Sequence, residues 1–178
     1  LKAKKGFTLV ELIVVIAIIA VLAAILVPTM LGYVTSSRVT SADSTAATLK
    51  DAVGNAMVET DTKGSKVPRS GSTTIELGGT SSSPTVDGVD SYTDFKAAIE
   101  NKIENDYNFT KAFTAVVYLK DGKVVGCAYC ADATAGVDSI TESDFTAGTT
   151  SQWDTDTDGI MGDFVVGTSP KLTKAVSP

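Results

Sequence analysis

The sequence contains no histidine, two cysteines and one tryptophan among its 178 residues. Without histidine it lacks the side chain that most often serves as a general base and as a transition-metal ligand. Sites built on Ser-His-Asp or Cys-His pairs are therefore excluded. Two cysteines allow one disulfide at most and are too few for a four-cysteine zinc site. Because no glycine-rich phosphate-binding loop is present either, we predict that the protein is not an enzyme.

Basic residues are also scarce. Lys and Arg number 15 against 21 Asp and Glu, which gives a formal net charge of -6. A protein that binds nucleic acid needs a basic surface to neutralise phosphates. We therefore expect no nucleic-acid binding.

Near the N-terminus the sequence becomes almost wholly apolar. Between Phe7 and Val27 only Thr8 and Glu11 are polar. A helix of this length would extend ~32 Å, enough for a hydrocarbon core of ~30 Å. Lysines on its N-terminal side indicate that this end stays in the cytoplasm.

A secretory signal is a poorer fit, because its apolar stretch is shorter and a small-residue cleavage site follows it. A plain membrane anchor leaves the carboxylate of Glu11 unexplained, since charges within spanning helices are costly.

Residues 5–11 read KGFTLVE and run directly into this apolar stretch. This pattern resembles the class III signal of type IV pilins and the related pseudopilins, in its type IVa form. The resemblance implies a leader of residues 1–6, cleavage after Gly6 by a prepilin peptidase, and N-methylation of Phe7. It also implies that Glu11 pairs with the N-terminal amine of a neighbouring subunit. Pro28 falls where many members of the family carry a helix-bending proline.

The resemblance carries expectations about partners and location. It implies a single-pass precursor in the cytoplasmic membrane with its head outside, and then an extracellular filament that is a helical homopolymer. Its other partners would be the pilus assembly platform and minor pilins. The resemblance therefore implies a structural subunit of a type IV pilus, with a pseudopilin of a type II secretion or DNA-uptake system as the alternative. Whether the fibre serves adhesion, motility, DNA uptake or aggregation stays open at this point.

Beyond the apolar stretch, apolar or small residues recur every three or four positions as far as Met57. This spacing predicts one helix over residues 7–59, bent or locally melted near Pro28 and Gly32. We divide it into a membrane or filament-core part, residues 7–30, and an amphipathic part, residues 31–59.

Residues 60–178 are expected to form a globular head. Gly, Ser, Thr and Pro dominate residues 60–90, which favours loop with one short strand at 73–77. A capping-box pattern from Ser91 predicts a short helix over 91–104, so that 60–112 form a loop region containing one helix.

Residues 113–178 are predicted to form the antiparallel sheet and a C-terminal loop. Asp121-Gly122 separates two runs rich in Val, Tyr and Phe, which predicts a two-residue hairpin. Residues 160–167 and 170–176 are further strand candidates. The predicted fold class is α+β: a long N-terminal helix packed on an antiparallel sheet of about four strands.

Cys127 and Cys130 form a C-x-x-C pair at the end of a predicted strand. Residues three apart in a regular strand point to opposite faces, so a disulfide would require a turn between them. A disulfide, two reduced buried thiols and a redox role stay open at this point.

Alternating aspartates at 154, 156 and 158 precede a glycine and resemble the start of a calcium loop. Asp154, Asp156, Asp158 and the later Asp163 are the candidate ligands. The continuation lacks the glutamate of an EF-hand, so a solvated acidic turn is the alternative. No other cofactor is expected.

Overall fold

A computed structural model describes residues 6–77, 85–106, 113–131, 140–147, 149–150, 160–161 and 164–174. The chain divides into two compact units, Leu1–Ser37 and Arg38–Pro178. One helix, α1 (Leu9–Thr62), contributes residues to both units.

In the N-terminal unit, α1 begins with a reciprocal cap. The Glu11 side chain accepts hydrogen bonds from the Thr8 backbone N–H at 2.8 Å and the Thr8 hydroxyl at 2.7 Å. The Glu11 N–H donates back to the Thr8 hydroxyl oxygen at 3.3 Å. This arrangement satisfies N–H groups that a helix start leaves free. The helix continues through Pro28 and Gly32, so the prediction of a melted segment there was wrong.

In the second unit, α1 turns one stripe of its surface toward a core. Three or four positions separate neighbouring residues of this stripe, which is the spacing of one helix face. The stripe consists mainly of small and branched residues. Its buried members are Val39, Ala42, Ala46, Leu49, Ala52, Val53, Ala56, Met57 and Thr60.

The main sheet has six strands in the order β2-β1-β3-β4-β7-β6, and every neighbouring pair is antiparallel. These strands are β1 Gly71–Leu77, β2 Thr85–Asp87, β3 Phe113–Lys120, β4 Lys123–Cys130, β6 Ile160–Met161 and β7 Phe164–Ser169. A separate parallel pair joins β5 Thr149–Thr150 to β8 Thr173–Lys174.

The predicted α+β class is confirmed, with a larger sheet than expected. Residues 60–90, predicted to be mostly loop with one short strand, supply two strands, β1 and β2. Strand β1 pairs with β3 along seven residues. Of the predicted strand over 170–176, the structure describes residues as far as Lys174, and among these β8 pairs with β5 and not with the main sheet.

The β3–β4 hairpin is confirmed. Asp121 and Gly122 have φ of 52° and 73°, as a two-residue turn between right-twisted strands requires. The pairing shifts between Tyr118 and Leu119, which leaves Val125 as an extra residue in β4.

The sheet is buried on both faces. On one face, Ile75, Val117 and Leu119 join the α1 stripe in a single apolar cluster. Helix α2 (Thr93–Asn101) adds Phe95 and Ile99 to the same cluster.

The opposite face holds a second cluster around Val116, Tyr118 and Ala128. A short helix, α3 (Glu142–Ala147), covers it through Phe145, whose ring lies 5.4 Å from that of Tyr118. Gly126 makes room for this ring, because a Cβ at position 126 would collide with it.

The predicted second helix is present but starts differently. Tyr92 occupies the N-cap position of α2, and its side chain makes no capping hydrogen bond. The predicted capping box from Ser91 is therefore wrong. Instead, the Asp94 carboxylate accepts a hydrogen bond from the Ser65 hydroxyl at 2.5 Å. The helix then passes into one π-helical turn, Lys102–Asp106.

Candidate functional site

The candidate site is the start of the chain, where the residues of the predicted processing signal meet α1. Gly6 precedes the helix and is exposed, and a Cβ built on it would meet nothing within 4 Å. Phe7 is 86% exposed. The peptide bond between them is therefore sterically open to an enzyme that cuts there.

Glu11 is held by Thr8 through its Oε2 oxygen, which accepts both hydrogen bonds of the helix cap. The processing motif singles out Glu11, and Thr8 as its local partner is a finding of the structure. The pattern that predicts it was available, since threonine followed three residues later by glutamate before an apolar run is a capping box.

The apolar side chains that follow are exposed throughout the first unit. Large hydrophobic residues from Leu9 to Val34 are between 45% and 74% exposed, apart from the more open Tyr33 at 78%. The most apolar 18-residue window of α1 has a mean hydropathy of 3.3 and no buried residue. By length and composition, this helix is able to cross a membrane. Such a surface in water is unfavourable, and it marks a segment that buries itself in lipid or in other protein.

Pro28 lies within α1, inside this apolar segment. The hydroxyl of Thr29 donates to the Leu26 carbonyl at 2.9 Å, and the helix is unbroken there. Gly6 and Phe7 thus directly precede the continuous helix that contains Glu11 and Pro28.

The cysteine pair is separate from this element. Cys127 and Cys130 are not joined in a disulfide, and both are buried. Strand β4 continues through both residues, so their side chains take opposite faces of the sheet. Cys127 packs in the cluster with α1 and Cys130 in the cluster with α3. A disulfide between them is not formed, because the turn that it would require is absent.

We expect both thiols to resist alkylation by iodoacetamide at about pH 8 in the folded protein and to react after unfolding. Burial raises the pKa of the Cys127 thiol, and the thiolate is the reactive form. Intact-mass spectrometry before and after reduction provides the second measurement. A gain of two hydrogens on reduction would contradict this prediction.

The candidate calcium ligands Asp154, Asp156, Asp158 and Asp163 lie outside the described residues, so calcium binding stays a prediction. Within the described ranges, no group of three or more acidic or cysteine side chains is placed to hold a metal ion.

Residues 1–27 match the family model of the prokaryotic N-terminal methylation motif. Similar curated proteins include a fimbrial protein of Pseudomonas aeruginosa, 48% identical over 59 residues. The type IV major alpha-pilin of Moraxella bovis is 46% identical over 59 residues. Each match covers 33% of this chain, and 38% and 37% of the respective relatives. The chain thus spans well under half of the length of the relatives that it matches. No solved structure gives a significant match.

The N-terminal part of this chain therefore carries a prokaryotic N-terminal methylation motif. More specifically, its motif is that of type IV pilins, and the chain is similar over 59 residues to proteins named as fimbrial or pilin subunits.

Proposed function

We propose that this protein is a structural subunit of a type IV pilus. It is inserted in the cytoplasmic membrane with its head outside, cut between Gly6 and Phe7, methylated on Phe7, and polymerised through the apolar segment into a surface filament. A prepilin peptidase, an assembly platform and minor pilins are its partners. This role requires no catalytic chemistry of the chain itself.

The observation that carries the proposal is the exposure of the apolar segment directly behind the processing motif. A monomer in water would leave the 16 consecutive apolar residues of α1 from Leu12 to Val27 largely unprotected. Lipid covers them before assembly, and neighbouring helices cover them afterwards. A single anchor explains the lipid contact but not the carboxylate at position 11, which a membrane disfavours unless it has a partner.

Glu11 has such a partner in the proposed filament. Cleavage after Gly6 creates a free α-amine on Phe7, whose reference pKa is about 7.7–8.0. A buried carboxylate and a buried ammonium are each costly alone and less costly as a pair. The pair would therefore favour one axial register between neighbouring subunits.

The test is intact-mass spectrometry of material sheared from whole cells. The proposal requires an abundant chain that starts at Phe7 and carries one extra methyl group. If the processed chain occurs only in the membrane fraction, the protein is a pseudopilin. An uncut chain would refute processing and leave a plain membrane anchor.

We expect Gly6→Ala to block processing, because the predicted cleavage requires glycine at this position in the motif. The variant should accumulate as full-length precursor in the membrane, measured by intact mass. Gly32→Ala is the matched control, since a Cβ there also meets nothing within 4 Å and the site is outside the motif. Persistence of the shortened chain in the Gly6→Ala strain would overturn the processing assignment.

A further inference from the structure

Outside the N-terminal segment, one large apolar side chain is conspicuously exposed. Val58, near the end of α1, is 66% exposed. Every other strongly exposed large hydrophobic residue in the described part of the chain lies between Phe7 and Val34. Isolated exposed valines are common on protein surfaces. The exposure of Val58 therefore indicates a binding surface only together with the residues around it.

Val58 lines an open groove of about 510 Å³ between α1 and the β3–β4 turn. Gly54 and Gly122 line the groove, and a Cβ built on either would meet nothing within 4 Å. The groove therefore has room for side chains from another molecule.

The groove is basic on an acidic protein. Lys50 and Lys123 line it together with one acid, Asp51, which leaves a formal charge of +1. Neither lysine forms an ion pair with a described residue, whereas Lys63, Lys96, Lys102, Lys120 and Lys171 all do. The chain as a whole carries -6. The charge of the groove thus has the opposite sign to that of the whole chain, and it is complementary to an acidic partner surface.

Such an acidic surface is present on the same chain. Glu100 and Glu104 occupy neighbouring turns of α2 and the π-helical turn, and neither forms an ion pair with a described residue. The intervening Lys102 pairs with Glu59 of α1 at 3.2 Å, which places this region beside Glu59. At 3.6 residues per turn, Glu59 lies about 180° around the helix from Lys50 and about 100° from Val58 of the groove.

We propose that the groove bounded by Lys50, Lys123 and Val58 receives the acidic Glu100–Glu104 face of a second copy of this chain. The two patches consist of different residues, and no ion pair between described residues joins them within one molecule. Contacts between two different patches are heterologous and repeat from copy to copy, as a filament requires. The proposal rests on the proposed function and adds to it a specific contact between the heads.

The test is a charge swap in the full-length protein. One variant carries Lys50→Glu and Lys123→Glu, another Glu100→Lys and Glu104→Lys, and a third carries all four changes. Sheared filaments per cell are measured, with the processed protein in the membrane as the check on folding. We expect each double variant to lower filaments by about tenfold through like-charge repulsion. The fourfold variant, in which the charges again match, should recover to within about threefold of the parent.

The matched control is Asp61→Lys with Asp87→Lys, which changes the charge as much as the Glu100 and Glu104 pair does. Both of these aspartates are exposed and lie outside the two patches, so filaments should stay near the parent level. Should a double variant accumulate poorly in the membrane, Lys50→Gln with Lys123→Gln replaces it, with a smaller expected loss.

Two results would overturn the proposal: double variants that assemble like the parent, or a fourfold variant no better than either double variant. In both cases the parent still forms filaments, and only this contact fails. Absence of filaments from the parent itself would refute the proposed function instead.

Discussion

Replacing Glu11 with alanine is expected to leave the protein processed and in the membrane but to lower sheared filaments by at least ~100-fold. Breaking a buried ion pair by removing one partner costs about 3–5 kcal/mol, and each 1.4 kcal/mol is about a factor of ten in an equilibrium. In the proposed filament, the missing partner would leave the ammonium of Phe7 buried without a counter-charge. Quantitative immunoblots of the sheared and membrane fractions measure this effect.

Alanine at this position also removes the helix cap, in which the Glu11 carboxylate accepts both hydrogen bonds from Thr8. A lost cap costs about 1 kcal/mol. Glu11→Gln separates the two roles, because its amide oxygen still accepts these bonds while the charge is gone. We expect Glu11→Gln to assemble almost as poorly as the alanine variant. Normal piliation of the glutamine variant would limit Glu11 to capping.

The second large effect is expected at Gly167, where strand β7 meets α1. A Cβ on Gly167 would fall on the backbone of Ala42 and Asp43, far inside the ~3.5–4.0 Å at which carbon atoms attract each other. Backbone cannot move aside as a side chain does, so β7 must separate from the helix.

That separation would also break a hydrogen bond and an ion pair to the Asp43 side chain of α1. The Thr168 N–H donates to the Asp43 carboxylate at 2.9 Å, and Lys171 pairs with the same carboxylate at 3.4 Å. We expect Gly167→Ala to destabilise the folded protein by about 3 kcal/mol, at the upper end of overpacking costs. For a chain of this size that lowers Tm by roughly 6–12 °C, as measured by circular dichroism in detergent.

Gly54→Ala provides the control with the opposite sign. It lies inside α1, and a Cβ there meets nothing within 4 Å. Alanine in a helix interior is favoured over glycine by roughly 0.5–1 kcal/mol, so this variant should gain stability slightly. If Gly167→Ala unfolds at the parent's temperature, close contact between β7 and α1 is not a feature of the folded protein.

Local patterns in the sequence were sufficient for several elements. The apolar run after KGFTLVE predicts the exposed N-terminal half of α1, because no polar side chain interrupts the helical surface there. Val and Tyr runs around Asp121-Gly122 predict the hairpin, because these residues favour extended backbone and the turn pair tolerates positive φ. The Thr8–Glu11 cap was equally local and was overlooked.

Other features depend on residues that are distant in the chain. Strand β1 has a weak pattern of its own among Ser, Thr and Gly, and it exists because β3 offers a partner along its whole length. The capping box at Ser91 is a valid local pattern, but Asp94 hydrogen-bonds to Ser65, 29 residues earlier in the chain. In such cases tertiary contacts override local propensity.

The sequence by itself determined that this protein has an apolar, signal-bearing helix and an α+β head, since both follow from periodicity and turn chemistry. Only the tertiary structure decided that Cys127 and Cys130 lie on opposite faces, because this depends on β4 staying regular between two partner strands. It also decided that Gly167 must lack a side chain and that Lys50 and Lys123 share one groove. Lys50 and Lys123 are 73 positions apart in the chain, and the hydrogen bond from Thr168 to Asp43 beside Gly167 joins residues 125 positions apart. No local sequence pattern encodes contacts between residues so far apart.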